Sequence, residues 1–173
     1  MSPDDGGAGP RVVLVGPMGA GKTTVGRLLA QRWGVPFRDT DDDVEQGEGR
    51  TVSEIFVDEG EDHFRALERA AVARAVAEHD GVLAVGGGAV MAEETRAVLA
   101  GRRVVFLRVG LSDAAARVGL GTSRPLLLGN VRGTMKALLD ERTPVYESVA
   151  AVVVDTDGRT PEQVADAVVE ALS

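Results

Sequence analysis

Short apolar segments alternate with longer amphipathic stretches along the whole chain. The short segments lie at residues 12–15, 36–39, 82–85, 104–109 and 151–155, and their richness in valine favours β-strands. Strands that alternate with helices usually form parallel sheets, because a parallel pair needs a long crossover connection. The pattern therefore predicts an α/β fold with a five-stranded parallel sheet flanked by helices.

The stretches between these segments repeat their apolar residues at helical spacing. In residues 22–33 this repeat ends at Gly34, a typical helix terminator. Capping signals place two other helix starts, one at Thr51 with Glu54 three residues later and one at residues 160–163. Further helices are predicted at about residues 61–79, at 93–99, at 112–118 with Ser112 as the cap, and at 133–149 with an interruption at Pro144.

Two segments follow no period. Residues 1–10 are acidic and glycine-rich and match neither a signal peptide nor a membrane span, so we expect a disordered tail before a single domain at residues 11–173. Residues 119–130 are rich in glycine and proline, which predicts a mobile loop between two helices. The expected lid covers about residues 118–131.

Composition limits the class of protein. The 173 residues are 44% hydrophobic and 27% charged, which is typical of one globular domain. The formal net charge of −8 disfavours nucleic-acid and acidic-membrane partners, because both need a basic face. The absence of cysteine excludes disulfides and thiolate metal sites, and it is consistent with a cytoplasmic location.

The stretch GPMGAGKTT at residues 16–24 carries the first chemical signal. Its spacing is that of a P-loop, and it lies between a predicted strand and a predicted helix, which is the context that a phosphate-binding loop requires. Glycines turn several backbone N–H groups toward a phosphate, Lys22 reaches over it, and the Thr23 hydroxyl is placed for Mg²⁺. The predicted nucleotide-binding residues here are Gly19, Ala20, Gly21, Lys22, Thr23 and Thr24.

Other nucleotide-binding classes fit less well. A GTPase needs an Asn-Lys-x-Asp motif, but neither lysine follows the single asparagine, Asn130. A motor-type ATPase needs an apolar strand that ends in Asp-Glu, and Asp155 is followed by threonine. A dinucleotide fingerprint from Gly86 would need glycine at position 91, which is Met91. After these exclusions, the remaining class is phosphoryl transfer to a small molecule.

An acidic cluster, DTDDD at residues 39–43, follows the second predicted strand. The strand end should aim Asp39 and Asp41 at the phosphate site, where carboxylates can hold a magnesium-bound water or accept a proton from a substrate hydroxyl. Asp42 and Asp43 are explained as negative charge at a helix start.

Six motifs together give the chain a specific resemblance. GPMGAGKTT, DTD at residues 39–41, FR at 64–65, GGGAV at 86–90, SRPLL at 123–127 and ERTPVY at 141–146 occur in the order found in shikimate kinases. The chain thus resembles this family of the P-loop group that includes the nucleoside-monophosphate kinases. The resemblance implies ATP- and Mg²⁺-dependent phosphorylation of shikimate to shikimate 3-phosphate in aromatic amino-acid biosynthesis.

The resemblance also implies roles for residues of the substrate site. Asp41 would bind the shikimate hydroxyls and assist the attacking one, Arg65 and Arg142 would hold the carboxylate, and the Gly87 N–H would contact the ring substituents. Arginine forks suit a carboxylate, but two structural readings stay open. Arg65 could belong to a solvated face with Glu61 and Glu68, and Arg142 could cap a helix. Phe56 and Phe64 would line the pocket or pack in the core.

On the nucleotide side, the resemblance implies that Asp39 holds Mg²⁺ through water together with Thr23. Arg124, in the expected lid, would swing onto the transferring phosphate, and its alternative is an exposed loop charge. Arg117 would stack on adenine with Pro161 near the opposite face, although an isolated helical arginine is usually solvated.

Two other function classes stay open at the level of sequence. One is another small-molecule P-loop kinase, such as a gluconate kinase, which would not need paired arginines. The other is a nucleotide-binding module without catalysis. In each case we expect a cytoplasmic monomer with small-molecule ligands and neither nucleic acid nor membrane as partner.

Overall fold

The structure, a computed structural model, describes residues 9–118 and 131–173. Five strands form one sheet: β1 (Val12–Val15), β2 (Phe37–Asp39), β3 (Val82–Ala84), β4 (Val104–Arg108) and β5 (Val152–Asp155). Their order across the sheet is β2-β3-β1-β4-β5, and every neighbouring pair is parallel. The predicted α/β fold with a five-stranded parallel sheet is confirmed.

Helices flank the sheet. In chain order they are α1 (Lys22–Trp33), α2 (Thr40–Glu48), α3 (Val52–Glu59), α4 (Glu61–Glu78), α5 (Glu93–Leu99), α6 (Leu111–Val118), α7 (Val131–Val149) and α8 (Pro161–Leu172), and a 3₁₀ turn (Ala89–Met91) precedes α5. The capping box predicted at the start of α8 is present between Thr160 and Gln163. At α3, the Thr51 hydroxyl accepts a hydrogen bond from the backbone N–H of Glu54.

One further expected helix start is confirmed, and two other helix predictions are wrong. The helix start expected at Asp42 and Asp43 is the first turn of α2, which the Asp39 side chain caps by accepting from the Asp41 N–H. Ser112 is not a cap, because α6 already begins at Leu111. The interruption expected at Pro144 is wrong, since α7 continues through it. Buried side chains of α7 on both sides, such as Met135 and Tyr146, hold the helix against the sheet and offset the hydrogen bond that proline removes.

Strand β1 is the centre of the core, and none of its four residues is exposed. Val12 and Leu14 belong to a buried cluster that includes residues of α1 and α8, whereas Val13 and Val15 belong to one that includes residues of α4 and α7. Because helices cover both faces, ligand access is left at the carboxyl edge of the parallel strands. The P-loop, Asp39 and the glycines at residues 86–88 all follow strands at this edge.

The expected tail lies mostly outside the described residues, as does the lid with Arg124. Among the helices that the structure describes, none is both long and apolar enough to cross a membrane.

Candidate active site

The P-loop joins β1 to α1 in a conformation that requires glycine. Gly16, Gly19 and Gly21 have φ angles of 151°, 80° and 92°, in the region that other residues rarely adopt. A Cβ at Gly16 would also lie only 2.7 Å from the carbonyl oxygen of Leu107 in the neighbouring strand. The loop thus brings the N-terminus of α1, with its unpaired N–H groups and positive dipole end, to the edge of the sheet.

Lys22 curls back over this loop. Its Nζ donates hydrogen bonds to the carbonyl oxygens of Gly16, at 2.7 Å, and Pro17, at 3.1 Å. Lys22, Thr23 and Thr24 all line one cavity, whereas the side chain of Ala20 is buried in the core. The arrangement places one cation and two hydroxyls around the mouth of the loop.

Asp39 lies at the end of β2, beside the P-loop. The Thr23 hydroxyl donates a hydrogen bond to Asp39 Oδ2 over 3.3 Å. Burial raises the pKa of Asp39 to about 6, with a further rise from the nearby Asp41 carboxylate and an opposing effect of Lys22. Mg²⁺ takes oxygen ligands and in kinases is held by one or two carboxylates together with substrate phosphates and water. The Thr23–Asp39 pair fits that donor set, and a cation there would offset the cost of ionising Asp39.

Asp41 and Glu68 approach the loop after β3 from one side. A Cβ added to Gly86 would lie 2.6 Å from Glu68 Oε2 and 2.9 Å from Asp41 Oδ1, so any other residue at position 86 would displace these carboxylates. Asp41 comes from the first turn of α2 and Glu68 from the middle of α4. Two carboxylates therefore border the same part of the cavity.

Arg65 and Arg142 converge on the same loop from different helices. A Cβ at Gly88 would lie 2.6 Å from Arg65 Nη1, and one at Gly87 would lie 3.8 Å from Arg142 Nη1. Arg142 is 8% exposed, and Arg65 donates to Glu68 Oε1 at 2.9 Å. Two guanidinium groups at one end of a cavity are suited to bind a carboxylate.

The backbone of residues 86–88 offers hydrogen-bond donors to the cavity. Its three carbonyl groups are occupied: Gly86 accepts from the Ala89 N–H, Gly88 from the Met91 N–H, and Gly87 from the Tyr146 hydroxyl. Among the described residues, none accepts a hydrogen bond from the N–H of Gly87 or Gly88. Both glycines line the cavity, so these donors are available to a ligand.

Glu68 is a site residue that the sequence analysis named only in the alternative of a solvated face with Arg65. It is instead 2% exposed, and burial raises its pKa although Arg65 and Arg142 lower it. Arg65 therefore does not lie on a solvated salt-bridge face, although Glu61 approaches it at 3.7 Å. The signal was its position: Glu68 lies four residues after Phe64 and four before Val72, on the apolar stripe of α4.

Two phenylalanines form the apolar wall of the cavity. The ring centroids of Phe56 and Phe64 are 4.9 Å apart, and both side chains line the cavity together with Val52. Phe64 is also 3% exposed and belongs to a buried cluster with Ile55. The sequence left core packing and pocket lining open as alternatives for the phenylalanines. Phe64 has both roles.

Arg117 reaches the P-loop from α6. Its Nη1 donates to the carbonyl oxygen of Gly19 at 2.7 Å, and its guanidinium also donates to Thr156, after β5, at 3.4 Å. Pro161 starts α8 and does not line the cavity that contains Arg117. The guanidinium therefore has defined partners on the nucleotide side of the site, and stacking on adenine stays a prediction.

These side chains enclose one cavity of about 440 Å³. Of the predicted site residues that the structure describes, all but Ala20 line it: Gly19, Gly21, Lys22, Thr23, Thr24, Asp39, Asp41, Arg65, Gly87, Arg117 and Arg142. The P-loop forms one part of this lining, and Arg65 and Arg142, which border Gly87 and Gly88, form another part that we call the arginine end; Asp41 also lines the cavity. Such a cavity can hold a nucleotide phosphate next to a small anionic molecule.

Comparison with known proteins identifies relatives over most of the chain. The family model for shikimate kinase matches residues 18–173. A shikimate kinase from Salinispora arenicola is 64% identical over 156 residues, 90% of this chain and 93% of the relative, and one from Thermobifida fusca is 58% identical over 163 residues, 94% and 95% of the two chains. The structure of a shikimate kinase from Acinetobacter baumannii in complex with shikimate superposes with a TM-score of 0.90 at 35% identity, over 95% of this chain and 92% of that one.

Proposed function

Since the chain belongs to the shikimate kinase family, we propose that Mg²⁺-ATP binds at the P-loop end of its cavity and shikimate at the arginine end. The reaction itself is ATP-dependent phosphorylation of shikimate, a step of the shikimate pathway. The observation that carries the assignment of the two ends is that both are positively charged but differ in the groups that supply the charge. One end presents Lys22 and the N-terminus of α1, and the other presents Arg65 and Arg142.

Shikimate fits the arginine end by its chemistry. Its carboxylate pairs with the Arg65 and Arg142 guanidinium groups, and its ring lies against Phe56 and Phe64. The hydroxyls meet the free N–H of Gly87 and the Asp41 carboxylate. The Acinetobacter relative was solved with shikimate bound, which supports the same ligand for the corresponding cavity here.

The transfer step uses groups that bind, orient and neutralise charge. Asp41 orients the attacking hydroxyl and accepts its proton as the new oxygen–phosphorus bond forms, while the bond from the γ-phosphorus to the bridging oxygen breaks and ADP leaves. Lys22 and the P-loop N–H groups stabilise the charge that develops on the phosphoryl oxygens. Thr23 and Asp39 hold Mg²⁺, which supplies positive charge to the phosphates when bound.

Three further assignments are part of this proposal. Arg124, outside the described residues, contributes positive charge to the transferring phosphate from the lid. Arg117 borders the adenine site. The enzyme acts as a monomer in the cytoplasm, where ATP is available and where a chain without cysteine loses nothing to the reducing conditions.

An ADP-release assay across shikimate, quinate, gluconate and nucleoside monophosphates tests the proposal. We expect turnover with shikimate that exceeds turnover with the other acceptors, and none without Mg²⁺. Faster turnover with gluconate would overturn the assignment of the arginine end. No ADP release with any acceptor would identify a nucleotide-binding module instead.

A further inference from the structure

Tyr146 is a core residue of α7 whose hydroxyl reaches the wall of the cavity. Its side chain is 0% exposed, and its ring lies 5.0 Å from that of Phe106 in β4, between centroids. The hydroxyl donates a hydrogen bond to the carbonyl oxygen of Gly87. A phenylalanine would fill the same space in the core, so packing alone does not account for the hydroxyl.

The same hydroxyl interacts with Arg142, one helical turn earlier on α7. Both groups converge on one glycine, because the Tyr146 proton goes to the Gly87 carbonyl and a Cβ added at Gly87 would lie 3.8 Å from Arg142 Nη1. Burial raises the pKa of Tyr146 to about 12, against an opposing effect of Arg142. The hydroxyl therefore keeps its proton at physiological pH and remains a donor.

Gly87 needs such a tether. Glycine has the widest backbone freedom of all residues, and free rotation at this position would turn the peptide unit that joins the Gly87 carbonyl to the Gly88 N–H, one of the two donors that border the cavity. Its neighbours are already held: the Gly86 N–H donates to the buried Thr40 hydroxyl at 3.3 Å, and the Gly88 carbonyl accepts from Met91 at 3.2 Å. The Tyr146 hydroxyl completes this set by holding the Gly87 carbonyl.

We propose that Tyr146 is a positioning residue that couples the Arg142 guanidinium to the Gly87 backbone, and so holds two shikimate-binding groups at a fixed separation. This inference rests on the proposed function of the arginine end of the cavity. It assigns the hydroxyl a role in substrate affinity rather than in chemistry, because it reaches the reacting atoms only through Arg142 and Gly87.

The Tyr146→Phe variant tests the coupling, since it removes the hydroxyl and keeps the ring. Loss of one hydrogen-bonding group should raise KM for shikimate about tenfold, with kcat and KM for ATP changed less than about twofold. Thr95→Val is the matched control. The Thr95 hydroxyl on α5 is also buried, but it has no hydrogen-bond partner among the described residues, so its loss should leave both KM values unchanged.

A double-mutant cycle with Arg142→Lys separates this inference from the proposed function. If Tyr146 acts through Arg142, Tyr146→Phe should cost less in the Arg142→Lys background than in the wild-type protein. Arg142→Lys without effect on KM for shikimate would contradict the proposed function. A normal Arg142→Lys defect beside an unchanged KM for Tyr146→Phe, or an equal rise in KM for ATP, would overturn only the role of Tyr146.

A second measurement does not depend on the folding of a variant. The chain has a single tyrosine, so growth with 3-fluorotyrosine labels position 146 alone. Its ¹⁹F resonance should shift on addition of shikimate and stay in place on addition of Mg²⁺-ATP. A ¹⁹F chemical shift that does not change on addition of shikimate would show that the hydroxyl belongs to the core only.

Discussion

Arg65 and Arg142 show how much of a residue's role is decided by its surroundings. Both are ordinary arginines of amphipathic helices in the sequence, but Arg142 is 8% exposed and both border the same glycines. Desolvation strengthens their attraction for a carboxylate, because little water competes for it.

Replacing either arginine by alanine should therefore weaken shikimate binding by about 2–5 kcal/mol, as expected when one partner of a desolvated ion pair is lost. ATP binding should change little. Calorimetry with each ligand measures both effects. Arg69→Ala is the control, since Arg69 is an exposed arginine one turn after Arg65 on α4. Equal losses for ATP and shikimate would contradict the assignment.

Asp41 and Asp42 are neighbours in sequence with different expected roles. Asp41 lines the cavity and Asp42 does not. If Asp41 accepts the proton of the attacking hydroxyl, Asp41→Asn should lower the single-turnover rate by about 10²–10⁴, with shikimate affinity changed much less. Asp42→Asn should retain nearly full activity. A similar, mild effect of both changes would mean that the acidic cluster only starts α2. An intermediate loss of rate for Asp41→Asn alone would indicate that Asp41 only orients the hydroxyl. A loose transition state needs little base assistance, which makes that outcome consistent with phosphoryl transfer.

Glu68 couples the site to the stability of the fold through pH. Its folded pKa lies above the ordinary value of 4.5 because burial disfavours the carboxylate. The favourable contribution of the protonated form is thus complete below pH 4.5 and is lost as the pH rises through the folded pKa. Measured by urea unfolding between pH 4 and 8, the wild-type protein should lose stability relative to Glu68→Gln as the pH rises. The reverse trend would mean that Arg65 and Arg142 outweigh burial.

At the scale of elements, the connection from β3 to α5 works as a rigid three-glycine loop. Gly86 leaves room for two carboxylates and Gly88 leaves room for the Arg65 guanidinium, at distances that no Cβ tolerates. Gly88 has φ −98°, which any residue adopts, so only the space and not the backbone requires glycine there.

Gly88→Ala should accordingly displace Arg65 without straining the chain. We expect KM for shikimate to rise about tenfold or more, since small misplacements of a positioning group are costly, with KM for ATP unchanged. Gly47→Ala on α2 is the control, because nothing lies within 4 Å of a Cβ there. Steady-state kinetics at varied shikimate and ATP decide the result, and an unchanged KM for shikimate would show that Arg65 adapts freely.

At the scale of the whole molecule, the proposed monomer agrees with how few large apolar side chains the described surface exposes. Among the described residues, the large apolar side chains that are well exposed are Val57 and Val153, at 80% and 40%, on different elements. Stable dimers need larger contiguous apolar patches than two isolated valines. Light scattering should therefore give a mass of 18.0 kDa at all concentrations. A mass that doubles with concentration would overturn the monomer proposal.

The sequence by itself determined the order of elements and the identity of the nucleotide loop. The order of elements depends on apolar periodicity and capping residues, and the nucleotide loop depends on the spacing of its glycines and Lys22. All of these are signals between residues close together in the sequence. Where the apolar pattern was weak the extent of a helix was not predicted, as at α2, of which only the start at Asp42 and Asp43 was expected. The continuity of α7 through Pro144 was not predicted either, because packing against the sheet outweighs a local propensity.

Only the tertiary structure decided which distant residues meet. Helical spacing left open whether Glu68 and Arg65 share a solvated face, whereas the fold buries Glu68 beside Arg65 on the stripe that faces the cavity. Tyr146 could have been any core aromatic residue, but in the fold α7 brings its hydroxyl to Gly87. A contact between residues far apart in the chain leaves no trace in local periodicity, because it depends on how helices are oriented over the sheet. The arginine end of the cavity is therefore formed only when the helices pack on the sheet, whereas the P-loop is already present in nine consecutive residues.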